Sequence, residues 1–340
     1  MAKLNATRDD VAKLAGVAPG TVSNVINGKD NVSEKLREKV ELAIKELNYT
    51  PNLVARSLMT GSSKHIGLII DEITNPHFAE LAKGVQYEAK HYGYILSISL
   101  ADGNVDNIVE DFLSRHVDGI IYDAYMGNLS SNMQEKIKNS GISFVDCNGI
   151  SNFSDILLEI DYQGGMKEAY CYLVGLGHEK IAYISGQGPN PTDIRLTTFR
   201  WCCSHIGCGT NDKYVVLGHP PYYTDFEHGY KYAYELLERK LDITAVIVVN
   251  DYTAIGVLRA FRKEGINIPK DISMISFDNT VYAKSSNPSL TSISSPVFDI
   301  GREAVKYIIQ QQKLNNDVRQ KIYHRYPMAL IVRESTAKPE

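Results

Sequence analysis

Polar side chains recur directly after runs of apolar residues in this 340-residue chain. Asp71 follows residues 66–70, Asp123 follows 119–122, Asp146 follows 143–145 and Asp161 follows 156–160. Asn250 and Asp251 follow 245–249, and Asp278 follows 273–277. Ionised carboxylates accept strong hydrogen bonds from hydroxyl groups. A crevice rimmed by such groups suits a neutral polyhydroxyl ligand, and some of the 21 Tyr and 9 Phe could cover the apolar faces of its ring. One Asp at a strand end is more often a helix cap than a ligand contact. The recurrence carries the reading.

A second set of small polar groups lies near the N-terminus. On a helix starting at Pro19, Val22, Val25 and Ile26 share an inward face, while Gly20, Asn24 and Asn27 share the opposite one, flanked by Thr21 and Ser23. Short amides and hydroxyls of this kind can approach base edges and phosphates in a DNA groove.

The elements needed to hold both sets are legible. Thr7 can cap a first short helix, with Asp10 completing a capping box, Val11, Leu14 and Ala15 as its apolar stripe and Gly16 as its stop. Pro19 suits the first turn of the next helix, and Gly28 ends it. Ser33 can cap a third, whose stripe is Leu36, Val40, Ala43, Ile44 and Leu47. Two short helices joined by a tight Gly-containing turn form a helix-turn-helix pattern. Gly61 to Lys64 reads as a short joint. Beyond it, candidate strands at 66–70, 95–100, 119–122, 143–145, 156–160, 181–185, 214–217, 245–249 and 273–277 are near-continuously apolar and alternate with helical stretches. That pattern predicts parallel sheets covered on both faces, and so many strands suit two doubly wound lobes better than one. Ligands of such sheets bind at the carboxyl ends of the strands, where the polar residues stand.

Composition excludes several classes. No apolar run reaches the roughly 18 residues of a membrane span and no apolar signal core opens the chain, so no membrane partner and a cytoplasmic location are expected. The odd set of five cysteines follows no disulfide framework, which fits a reducing compartment. Residues 1–60 carry nine Lys/Arg against seven Asp/Glu, and the remainder 27 against 33. So slight a positive excess on one head makes a dimer the expectation, because a dimer doubles the phosphate contacts. The stretch from Gly186 to Pro191 is no dinucleotide fingerprint, since prolines stand where a helix must start. Cys202, Cys203, His205 and Cys208 do not share one helical face, and no metal or other cofactor is expected. His178 and His219 are expected as structural or cleft-edge groups. No nucleophile triad or supported carboxylate pair points to an enzyme.

Asp10-Val-Ala-Lys-Leu-Ala-Gly-Val17, Thr21-Val-Ser23, Val32-Ser33, Arg37-Glu-Lys-Val40, Leu47-Asn-Tyr-Thr-Pro-Asn52 and Val54-Ala-Arg-Ser-Leu58 follow one another at fixed spacings. In their order and spacing the chain resembles the lactose/galactose-repressor (LacI/GalR) family of bacterial regulators. Thr74-Asn-Pro-His-Phe78, Leu176-Gly-His178, Asn250-Asp251, Ser276-Phe-Asp278 and Arg333-Glu-Ser-Thr336 extend the resemblance. The resemblance implies an α-helical helix-turn-helix head over 1–50, a hinge helix and linker over 51–61, and an α/β two-lobed core over 62–340. That core is type I periplasmic-binding-protein-like, with parallel doubly wound sheets. Its first lobe would take about 62–161 and 292–321, its second about 162–291 and 322–340, with three crossovers.

The resemblance further implies a homodimeric repressor on palindromic double-stranded operator DNA, released by a sugar-like effector held between the lobes. Thr7, Pro19, Gly20, Thr21, Ser23, Asn24, Asn27, Tyr49, Asn52, Val54 and Ala55 would face DNA, and Leu58 would wedge into the minor groove. The head departs from the family at Ala18, where Ser is common, and at Asn24, where Arg is common. Asn favours adenine over guanine. In the core the resemblance assigns effector contacts to Asn75, Phe78, Arg195, Asn250 or Asp251, and Asp278, beside Asp71, Tyr122, Asp123 and Asp146. Thr198 stands where the family has glycine. Phe226 or Tyr223 would supply the ring-stacking aromatic. The alternatives are a sugar-binding protein or a sugar-processing enzyme without gene regulation.

Overall fold

The computed structural model describes residues 6–26, 28, 31–50, 61–101, 103–125, 129–149, 153–186, 188, 193–207, 212–220, 222–314 and 321–340. Asn27, Cys208 and the hinge expected from residue 51, with Asn52, Val54, Ala55 and Leu58, lie outside the described residues. The chain divides into two compact units, Met1–Ser63 and Lys64–Glu340.

The first unit is built from α1 (Arg8–Ala15), α2 (Pro19–Ile26) and α3 (Glu34–Glu46). Thr7 and Asp10 form the expected capping box: the Thr7 hydroxyl accepts from the Asp10 N–H, and the Asp10 carboxylate accepts from the Thr7 N–H at 2.8 Å. Gly16 ends α1 in the left-handed region, at φ 68°. Val11, Ala12, Ala15, Val22, Val25, Val40 and Ala43 form the core. Leu14, expected in the apolar stripe, is 45% exposed, and Ala12 is buried in its place. Alanines at this face let α2 come close, which a leucine would prevent. Ser33 caps α3 with its carbonyl alone; its side chain makes no cap bond.

The second unit holds two six-stranded sheets of the same plan. The first contains β1 (His65–Ile70), β2 (Ile95–Leu100), β3 (Gly119–Asp123), β4 (Ser143–Asp146), β5 (Ile156–Ile160) and β11 (Ile322–Tyr326), in the order β11-β5-β4-β3-β1-β2. The second contains β6 (Ile181–Ile184), β7 (Val215–Val216), β8 (Ala245–Val248), β9 (Ser273–Asp278), β10 (Thr291–Ser294) and β12 (Ala329–Ile331), in the order β12-β10-β9-β8-β6-β7. All pairs are parallel except β10 with β12. Each sheet therefore reverses its winding beside its first strand, between β1 and β3 and again between β6 and β8. At such switch points the loops part and leave a crevice.

Sheet membership corrects two expected lobe limits. Strand β10, including residues 292–294, lies in the second sheet, and β11 lies in the first, paired in register with β5. Helix α12 (Val297–Gln312) packs into the first lobe's core through Val297, Ile300, Ala304, Val305 and Ile308. The excursion back to the first lobe thus runs through 297–326 rather than 292–321.

Helices cover these sheets through close glycine contacts. In the second lobe α9 (Phe226–Glu238) lies against α10 (Asp251–Lys263). A Cβ on Gly229 would stand 2.1 Å from the Thr253 carbonyl oxygen, and one on Gly256 2.0 Å from that of Phe226. The first lobe repeats the device: a Cβ on Gly84 of α4 (Pro76–His91) would meet the Phe298 carbonyl of α12 at 2.0 Å. Gly256→Ala is expected to force the helices apart and cost about 3 kcal/mol, at the upper end of overpacking penalties. Urea denaturation would show it as a lower midpoint, and an unchanged midpoint would refute the close contact.

Candidate functional site

The loops at the two switch points enclose a cavity of about 120 Å³ within the second unit. Its lining includes Asp71, Asn75, Phe78, Arg195, Asn250 and Asp278, all expected from the sequence. Asp71 follows β1, and its carboxylate accepts the Tyr125 N–H at 2.8 Å, fixing the loop beyond β3. Asn75 caps α4 by accepting the His77 N–H at 3.1 Å. Asn250 caps α10 through the Thr253 N–H at 2.8 Å, and its amide donates to Thr224. Arg195 opens into the cavity from α8 (Ile194–Cys202), donates to the Val249 carbonyl at 3.0 Å and lies 4.6 Å over the Tyr162 ring. Thr198 sits in an intact turn of α8, its hydroxyl returned to the Ile194 carbonyl at 2.6 Å.

Other expected contacts point elsewhere. Tyr122 is buried in the apolar layer beside Phe144, 5.9 Å between ring centroids. Asp146 is buried and accepts the Asn148 N–H at 2.8 Å. Phe226 lines a separate depression with Tyr252 and Tyr282, whereas Tyr223 lines the cavity. Asp251 is fully buried and tied to Ser276, Ser292 and the Thr280 N–H. Burial and the neighbouring Asp278 push its pKa up to about 6. It braces the β9 and β10 ends and does not line the cavity. Asp123 also stands behind the wall, 3.6 Å from His77.

His77 is the group that sequence reasoning missed. It is buried, with Nε2 facing Asp123 of the first lobe and Nδ1 3.3 Å from Asp278 of the second. Neither contact lies on another residue of its own helix. Burial opposes its charge, but Asp278, Tyr162 and Asp123 outweigh burial and hold its pKa well above the usual imidazole value. These neighbours favour the imidazolium form of His77 between the lobes. Asp278 adopts φ 94°, a conformation that costs energy in a non-glycine residue and aims its carboxylate at this junction. Glu72, Tyr125, Tyr162, Tyr222 and Thr224 complete the wall and were not singled out. They lie in loops and helix starts where no periodicity marks them. His178 is structural, bonded to Thr244 and the Ala337 carbonyl.

In the first unit Pro19 and Gly20 are exposed, and Thr21, Ser23 and Asn24 are half-buried along the outer side of α2. Ser23 accepts from the Arg8 guanidinium at 3.3 Å. Thr7 spends its hydroxyl on the capping box, and Tyr49 packs against the helical core.

Residues 7–52 match the model of the bacterial regulatory proteins, lacI family, and residues 171–336 match a periplasmic binding protein-like domain. Catabolite control protein A of Priestia megaterium is 33% identical over 98% of this chain and 100% of its own length. The chain belongs to the lacI family of bacterial regulatory proteins. The ribose operon repressor of Escherichia coli K12 is 33% identical, over 91% of this chain and 96% of its own. Among solved structures, the lac repressor dimer bound to operator and the anti-inducer ONPF matches with a TM-score of 0.81 at 25% identity, over 98% of this chain and 100% of that one. As a lacI-family member the chain is a DNA-binding transcriptional regulator with a two-lobed effector-type core. Among the described residues no helix is long and apolar enough to cross a membrane.

Proposed function

We propose that this regulator is a homodimeric repressor of carbohydrate-utilisation genes whose affinity for a palindromic operator is set by a sugar held in the interlobe cavity. The observation that carries the reading is the cavity wall. Hydrogen-bonding groups from both lobes, Asp71 and Asn75 from one and Arg195, Asn250 and Asp278 from the other, converge beside aromatic rings. A ligand bridging them favours one lobe arrangement and so shifts the equilibrium between DNA-binding states.

A dimer is supported by exposed Ile95, Ile98 and Leu100 on β2, the end strand of the first sheet. An apolar, unpaired sheet edge is a pairing surface. The similar lac repressor structure is a dimer on operator, which supports the same assembly here. Thr21, Ser23 and Asn24 of α2 are the side chains proposed to reach base edges. Leu58 is proposed as the minor-groove wedge. Leu58→Ala should weaken operator binding at least tenfold, since the wedge supports a costly kink, and leave sugar affinity unchanged. Gel-shift titration on a palindromic duplex, with and without mono- and disaccharides, tests the whole reading. A sugar that moves the midpoint and is recovered intact supports regulation over catalysis. Operator affinity indifferent to every sugar would oppose it.

A further inference from the structure

The cavity wall carries an excess of negative charge, and the caps of its helix starts take part of their N–H donors. The lining carboxylates are Asp71, Glu72 and Asp278, with Asp123 directly behind His77. Among the described lining residues, His77 and Arg195 are the groups that can stand against these as cations. His77 stands between Asp123 and Asp278, and its single ring can offset no more than one of the two carboxylates. Glu72 accepts from the Thr74 hydroxyl at 3.0 Å, and Asp225 nearby helps raise its pKa after burial.

Helix starts are the usual alternative means of holding a phosphate, through free N–H groups and the helix dipole. Here α4, α8 and α10 all begin at the cavity, and each has one or two of its first N–H groups taken by its own cap. Asn75 takes the His77 N–H, Asp193 takes those of Arg195 and Leu196, and Asn250 takes that of Thr253. Two of the caps are amides, and the third is itself a carboxylate. An incoming phosphate would compete with these caps and approach a negative wall in a partly desolvated site, where like charges repel more strongly than in water.

We infer that the cavity accepts an uncharged, unphosphorylated sugar and rejects its phosphate ester. The inference rests on the reading of this cavity as the effector site. Hydroxyl groups suit the wall because they donate to the carboxylates and accept from Arg195. Isothermal titration of the full-length protein should use neutral pentoses, hexoses and disaccharides, each paired with its phosphate ester. For the sugar that binds, the ester is expected to bind at least 100-fold more weakly. Glu72→Gln, which removes a charge at nearly constant volume, should narrow that gap several-fold by strengthening ester binding. An ester that equals or exceeds its parent sugar overturns the inference while leaving the effector site intact. A gap that Glu72→Gln does not change overturns the electrostatic cause. Failure of every sugar and every ester to bind removes both the inference and the effector reading beneath it.

Discussion

Replacing Arg195 with alanine is expected to reduce sugar affinity by 100-fold or more while leaving operator affinity without sugar nearly unchanged. Arg195 is buried at the cavity wall, held by the Val249 carbonyl and stacked over Tyr162. Its other guanidinium nitrogens would meet ligand oxygens in the proposed complex. A hydrogen bond to a charged group contributes about 1.5–3 kcal/mol, so two such bonds account for about 100-fold at the low end. Lysine should not restore binding, because its single ammonium cannot reproduce the planar fork or the stacking on Tyr162. Calorimetry would report the sugar affinity, and gel shift would show that the operator response to sugar has gone. Wild-type sugar affinity in Arg195→Ala would remove this arginine from the site. Loss of operator binding without sugar would instead mark a general disruption of the core.

Arg195 was legible in the sequence because it stands in a family-like Arg-Leu-Thr-Thr-Phe stretch, and the strand-end residues were legible for a physical reason. A parallel strand buried on both faces is a continuous apolar run, so the first polar residue after it announces the strand's carboxyl end. Asp71, Asn250 and Asp278 lie at the cavity for that reason. The same logic cannot decide which way a polar side chain turns. Asp146 and Asp251 stand at equivalent strand ends and turn inward to serve backbone and hydroxyl donors. Tyr122, one residue before Asp123 on β3, falls on the face packed against Phe144. Phe226 opens α9 and Tyr223 precedes its cap, and three residues decide between two different depressions. Strands β10, β11 and β12 escaped because they are short, and β11 carries His324 and Arg325. His77 escaped for a deeper reason. Its partner Asp278 is remote in sequence, and only the meeting of the lobes reveals that two carboxylates favour the charged form of a buried histidine there.

That charge sets the second large effect, on stability against pH. His77 has a folded pKa well above its ordinary 6.5, so its contribution is fully present below 6.5 and is lost as pH rises toward the folded value. In that window the unfolded chain has released the proton and the folded chain retains it. Unfolding free energy should therefore fall by about 1.4 kcal/mol per pH unit. Other groups act outside the window. Asp251 loses its contribution between 3.8 and about 6, because its folded pKa is raised. His65 and His178 are lowered by burial, so they cost stability only as pH falls below 6.5. Cys147, raised by burial from 9.0, has no effect until more alkaline pH. Above pH 6.5 the decline is expected from His77 until the pH reaches its folded pKa. His77→Phe keeps a flat ring beside Phe78 but leaves Asp123 and Asp278 without their shared cation. Removing one partner of a buried pair costs about 3–5 kcal/mol, and the decline above pH 6.5 should disappear with it. Urea denaturation of both proteins across this range decides the matter. A flat profile in the parent, or an equal slope in the variant, would mean that the histidine is neutral and the two lobes are joined without an ion pair.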